Sequence, residues 1–552
     1  MGSWEATDRL AELTLGPMLR HVGPTEATVW VETDTACEVE VLGHEARTFT
    51  VEGHHFAIVC LTGLEPGTTT PYEVALDGER RWPAGESRFP PSVIRTPAED
   101  DPLELAFGSC RVCVPHVEPF SLRKDDDASG REVDALRALA LRMVDLPPAE
   151  WPHALVLLGD QVYADEVSPQ ARALIRRRRD SDQPPGEEVA DFEEYTYLYR
   201  ESWGEPTMRW LLSTVPSAMV WDDHDVHDDW NTSRPWVETM RAKPWWGPRI
   251  EGAVMSYWCY QHLGNLAPED LGADEVYDAV CAADDGGTIL REFARRADRE
   301  SDGARWSFRR DFGRVRLVMI DSRAGRVLDP GRRSMVDEDE WRWIEETATG
   351  GCDHLVLGTS LPWLLASGMH ELEAWNEAVC DGAWGRRAAR VGEKIRQALD
   401  LEHWAAFQSS FRRMCRLADD VAWGRRGAAP ATIVALSGDV HHAYLSELHV
   451  GDGATSRVYQ AVCSPFRNPL DERERRMIRF GWSRPAQWLG RALSRSAGVE
   501  AAPFAWSPVH DAPWFDNQVA TLRFEGRQAH FRLERTRPGQ AGLECVFEHA
   551  LA

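Results

Sequence analysis

The chain has 552 residues, enough for about three or four average domains, and its 43% hydrophobic content can fill a sizeable core. A net charge of −27 repels duplex nucleic acid and acidic membranes over most of the surface, so a phosphate-bearing ligand would need local positive charge from metals or arginines. Eleven scattered cysteines, no apolar signal core or twin arginine in MGSWEATDRL, and no run of membrane-spanning length indicate a cytoplasmic protein without a disulfide framework or stable membrane insertion.

After a tail over 1–16, residues 17–97 predict an all-β sandwich domain. Short β-rich runs (ATVWVET, EVEVLG, TFTVEG, FAIVCL, YEVALDG) are separated by Gly and Pro turns at sandwich-like spacing. The stretch LTGLEPGTTTPYEV resembles a turn and strand of fibronectin type III-like domains. PPSVIRTPAEDDP, over 90–102, reads as a linker.

From there to 540 the pattern changes to strands alternating with helices, an α/β catalytic domain, with 541–552 as a tail. Strands are predicted at 103–108, 153–159, 217–222, 315–321, 354–359 and 432–438, and helices at 131–144 and 337–348. Polar residues follow the strand ends, where α/β sheets bind ligands.

The first strand ends in GSCRVC. Cys110 there is a candidate thiolate ligand; with Cys113 it also reads as a redox dithiol, or both are simply buried. The second ends in GDQVYADE: an apolar run delivers Asp160, a candidate bridge between two metals, and Tyr163, a phenol suited to ferric iron. Asp160 as a turn cap and Tyr163 as a core aromatic are the plainer readings. An arginine run follows within 168–200 and reads as a solvated helix face rather than a nucleic-acid contact.

The third strand runs into DDHDVHDDW, with seven Asp or His residues between 222 and 229. So many like charges repel unless a cation or solvent compensates them, and Asp223, His224, Asp228 and Asp229 are the candidates. IDSR offers Arg323 as a phosphate clamp or as a structural partner of Asp321. In GDVHH, an extended segment would put Asp439 and His441 on one side and His442 on the other. Asn231, Arg467 and Asn468 are weaker candidates. Residues 366–430 read as a helical insertion. Residues 467–495, with eight Arg and interleaved Trp482, Trp488 and Leu489, read as a packed surface helix, a lid or a membrane-surface helix.

Hard oxygen donors plus one imidazole suit a dinuclear metal centre, and hence a metal-dependent hydrolase of phosphate esters. The ordered set GSC, GDQVY, DDHDVHDDW, IDSR and GDVH resembles the alkaline phosphatase D (PhoD-like) metallophosphatase family over roughly residues 100–535. That resemblance implies a four-layer α/β/β/α sandwich and a centre of Fe3+ and Ca2+. It further implies Cys110, Asp160, Tyr163 and His441 as iron ligands and Asp160 and Asp439 as calcium ligands. Where the family's motif ends in Asn-Asn this chain has Asp228 and Asp229, which leaves Ca2+, Mg2+, Mn2+ and Zn2+ open for the second metal.

The expected chemistry is attack of hydroxide on phosphorus, with Asp223, His224 and Arg323 as catalytic candidates and His224 as proton donor to the leaving alkoxide. The partner implied is a small phosphate ester, monoester or diester. Two other classes fit the same residues: an iron–thiolate redox protein, and a non-catalytic binding protein with a decayed site.

Overall fold

The computed structural model describes residues 10–85, 87–98 and 101–552; most of the expected N-terminal tail, residues 1–9, lies outside them. Strand alternation builds the first part. Among the described residues, ten short strands between Leu13 and Arg95 form two four-stranded sheets and a two-stranded ribbon. The first strand, Leu13–Val22, starts inside the stretch expected as tail. In the next, Glu26–Thr33, Val29 and Val31 face the module's own core, while Trp30 points to the opposite side.

The remainder holds two mixed sheets. One runs in the order Ser217–Val220, Ala154–Leu158, Leu103–Gly108, Gln518–Glu525, Gln528–Arg537, Gln540–Ala550. Its first three strands are parallel, because helices return the chain between them. The other runs Phe308–Phe312, Val315–Ile320, His354–Thr359, Thr432–Ser437, Arg457–Val462, Tyr444–His449, Ala505–Pro508. The six strands predicted from sequence are present within a residue or two of their expected ends.

Residues 541–552, expected as a tail, instead form most of the last strand, pairing antiparallel with Gln528–Arg537. Edge position explains the misreading: one face is solvated, so the strand has no continuous apolar run.

Period-two alternation in the second sheet defines the layers. Leu317, Met319, Val356, Val434 and Leu436 join the core shared with Leu105, Phe107, Val156 and Leu158 of the first sheet. Val318, Ile320, Leu355, Leu357 and Ile433 face the other way, onto Trp341, Trp363 and Phe411 of the covering segments. Helices thus flank two packed sheets, the expected four-layer α/β/β/α arrangement. The arginine run lies at the end of the helix Pro169–Arg178, and Arg178 and Arg179 pair with Glu194. Residues 366–430 hold three helices, Ser367–Cys380, Arg386–Ala398 and Gln408–Ala422, and residues 472–496 hold two.

Candidate metal centre

The parallel strands of both sheets end at one edge, and the loops after them converge there. Backbone hydrogen bonds sew the loops together: Cys110 N–H donates to Gly159 O (3.3 Å), Gly438 N–H to Ser360 O (2.8 Å) and Arg467 N–H to Cys110 O (3.1 Å). Cys110, Asp160, Asp439 and His441 all adopt left-handed backbone, with φ between 50° and 66°. Non-glycine residues seldom occupy that region, and where they do the strain tends to mark functional positions. Two glycines make the convergence sterically feasible. A Cβ on Gly159 (φ +105°) would meet Asp222 Cβ at 2.5 Å, and one on Gly438 would meet Ser109 Oγ at 2.0 Å.

Two donor clusters meet at Asp160. Cys110 Sγ, one carboxylate oxygen of Asp160 and a ring nitrogen of His441 lie within 4.8 Å of one another, and Asp160, Asp222 and Asp223 form a second cluster at the same spacing. Tyr163 joins the first cluster: its hydroxyl donates to Asp160 Oδ2 (3.3 Å) and accepts from the Asn468 amide (3.3 Å). Burial pushes the His441 imidazole down to about 3, so its nitrogen is neutral and can coordinate. Burial, and next the nearby Asp160, pushes the Cys110 thiol and the Tyr163 phenol well above their usual range. Such donors become anionic only beside a cation. Asp160 Oδ1 and Asp222 Oδ2 are buried without a hydrogen-bond partner, a cost that a bound cation would offset. The donor set therefore fits metal ions.

Around these clusters the charge is heavily negative. Burial and then neighbouring carboxylates raise Asp229 to about 9 and Asp228 to about 7. Arg323 is the main counter-charge. Its fully buried guanidinium pairs with Asp222, with Asp223 (3.1 Å), with Glu402 (2.6 Å) and with Asp439 (3.3 Å). His403 bridges Glu373 (2.7 Å) and Asp439 (3.1 Å). His224 Nδ1 lies 2.9 Å from Asp165 Oδ1, and Asp165 and Asp223 hold its pKa well above the usual value against the cost of burial.

Several sequence expectations change here. Arg323 has no exposed surface, and its donors are taken up by carboxylates, so it is not placed to clamp a phosphate. Asp321 receives Arg323's backbone N–H rather than its guanidinium. Asp439 and His441 do not lie on an extended segment. The chain turns tightly there, with His441 N–H on Asp439 O at 2.8 Å, and both Asp439 oxygens go to Arg323 and His403. Asp228 clusters with Asp223 and His224 on the exposed side, whereas Asp229 is in none of the clusters. Cys110 and Cys113 are both free, and of the two only Cys110 lies in a donor cluster.

Four supporting residues escaped the sequence reading. Asp225 lies in the acidic run but only its receipt of the Asp160, Val162 and Asp222 N–H groups reveals its role. Asp165 is visible two residues beyond Tyr163. Glu402 and His403 lie in the helical insertion, with no local signal.

No curated protein matches the chain. A family model for a domain of unknown function (DUF7800) matches residues 10–94. The solved structure of PhoD is similar at 12% identity, covering 100% of this chain and 92% of that one with a TM-score of 0.58, which shows the shared fold. The purple acid phosphatase PPD1 from yellow lupin (Lupinus luteus) seeds aligns at 9% identity over 96% of this chain and 73% of that one, with a TM-score of 0.47. The family model described as PhoD-like phosphatase matches residues 142–474, more than half of the chain and including the strand ends that carry Asp160, Asp223 and His441. The chain belongs to the PhoD-like phosphatase family and is a metal-dependent phosphoester hydrolase.

Proposed function

We propose that the chain hydrolyses small phosphate esters at a dinuclear centre. Cys110, Asp160, Tyr163 and His441 hold ferric iron; Asp160, Asp222 and Asp223 hold a divalent cation, calcium first among the candidates. The observation that carries this reading is that Asp160 belongs to both donor clusters, the place a bridging carboxylate must occupy. Asp228 is a further donor on the exposed side.

Bound there, the metals would polarise phosphoryl oxygens and acidify a water. The chain's own residues supply the rest. His224, anchored through Nδ1 on Asp165, keeps Nε2 for giving a proton to the leaving alkoxide. Arg323 and His403 offset the negative charge that packed carboxylates would otherwise build up, and they fix Asp439 in place. All eleven cysteines are free, which supports a reducing, cytoplasmic setting.

The test is a panel of phosphate monoesters and diesters given to protein stripped by chelation and then reloaded with iron and one divalent metal at a time. Hydrolysis should disappear on stripping and return on reloading. Undiminished hydrolysis by metal-free protein would overturn the reading.

A further inference from the structure

Two helices, Glu472–Gly481 and Arg484–Ser496, follow Asn468, the residue bonded to Tyr163. The second helix turns its small residues inward. Ala486, Gly490 and Ser494, four apart, are buried, and the seam against the helix Ser367–Cys380 is close. A Cβ on Gly490 would lie 2.8 Å from Glu371 Cβ, and one on Gly368 would lie 3.0 Å from Ala486 Cβ. The large apolar residues are left outside: Trp488 is 73% exposed, Met477 62%, Phe480 57% and Leu489 49%. Surface helices of globular proteins normally do the reverse. Among the described residues, four of the twelve large hydrophobics that are exposed fall between 477 and 489, so this is a patch rather than scatter.

Charge distinguishes the patch from the rest of the molecule. Residues 472–496 carry seven arginines against two glutamates, in a chain of net charge −27. Arg484, Trp488, Arg491 and Arg495 fall at i, i+4, i+7 and i+11, one stripe of the helix. Arg484 and Arg495 are exposed and have no ion-pair partner among the described residues. Trp384, itself 45% exposed, donates to Ser496 O (3.1 Å) and extends the apolar surface at one end.

We propose that this two-helix face docks the enzyme peripherally on an anionic lipid bilayer surface. Trp, Leu, Phe and Met would enter the headgroup boundary while the arginines meet lipid phosphates, the division of labour of an interfacial amphipathic helix. A second copy fits less well, because a two-fold contact through this face would set arginine rows against each other. No helix among the described residues is long and apolar enough to cross a membrane, so the contact is superficial. Trp482, between the two helices, lies with its ring centroid 6.4 Å from that of His442, next to His441, so docking would hold the metal centre close to the surface.

Flotation of the full chain with phosphatidylglycerol–phosphatidylcholine vesicles and with pure phosphatidylcholine vesicles tests this. Binding should be confined to the anionic vesicles, weaken with salt, and fall at least about tenfold in a Trp488→Ser/Leu489→Ser variant and in an Arg484→Glu/Arg495→Glu variant. Both variants should hydrolyse a soluble phosphate ester as the wild type does, which separates this outcome from misfolding. No preference for anionic vesicles, or variants that bind like wild type, would overturn the proposal. So would a wild-type dimer that the Trp488→Ser/Leu489→Ser change splits, which would assign the face to a second copy.

Discussion

Asp160 owes its position to Asp225 as much as to the strand before it. Asp225 is buried and accepts the backbone N–H groups of Asp160 (2.9 Å), Val162 (3.3 Å) and Asp222 (2.9 Å), tying together two strand ends. Asp225→Ala would leave those donors bare, at about 1–3 kcal/mol for each one that water does not reach. Thermal denaturation should show the loss, and metal affinity should fall with it. Asp165 acts on chemistry instead. Its charge helps hold the His224 pKa up, so Asp165→Asn should lower that pKa and move the basic limb of the kcat profile to lower pH. An unmoved limb would remove His224 as the proton donor. Individual candidate donors were legible because each follows an apolar strand, and the fold brings Cys110, Asp160, Tyr163 and His441 together. Partner choice was not. Only folding shows that Arg323 faces four carboxylates or that Asp439 turns to His403.

At the scale of elements, continuous apolar runs announced their strands; Arg457–Val462, buried but interrupted by Gln460, and the half-exposed strands Gln528–Arg537 and Gln540–Ala550 did not. The turn at 439–441 was misread because two left-handed residues other than glycine leave no trace in composition. A contact between elements supplies a pH test. His54, on the strand His54–Thr62, lies 2.7 Å from Glu193 on the helix Phe192–Gly204 and 3.4 Å from Glu32. Burial opposes its charge, but the hydrogen bonds to Glu193 and Glu32 outweigh burial and hold its pKa up to about 9. The unfolded chain has a histidine pKa of about 6.5. Between those values the folded state binds the extra proton, so this contribution is fully present below about pH 6.5 and is lost as pH rises towards 9. His54→Gln should flatten the fall in melting temperature across that window; an unchanged slope would mean that the pair does not couple folding to pH.

Over the whole molecule, the N-terminal module and the catalytic domain share one core. Trp30 Nε1 donates to Cys259 O (2.9 Å), its ring packs 5.5 Å from Tyr260, and Arg20 donates to Tyr260 O (2.7 Å) and Gln261 O (2.8 Å). Trp30→Ala should cost about 3–5 kcal/mol and lower the melting of the catalytic domain, not of the module alone. Loss confined to the module would show two independent units. If Asp160 bridges the two clusters that this fold brings together, both metal positions depend on it. Metal content per chain, measured on wild type and on Asp160→Asn after loading with iron and calcium, tests it most directly. Two ions are expected in the wild type, and in the variant a loss from both positions together with hydrolysis. Two ions retained by Asp160→Asn, with activity near wild type, would contradict it.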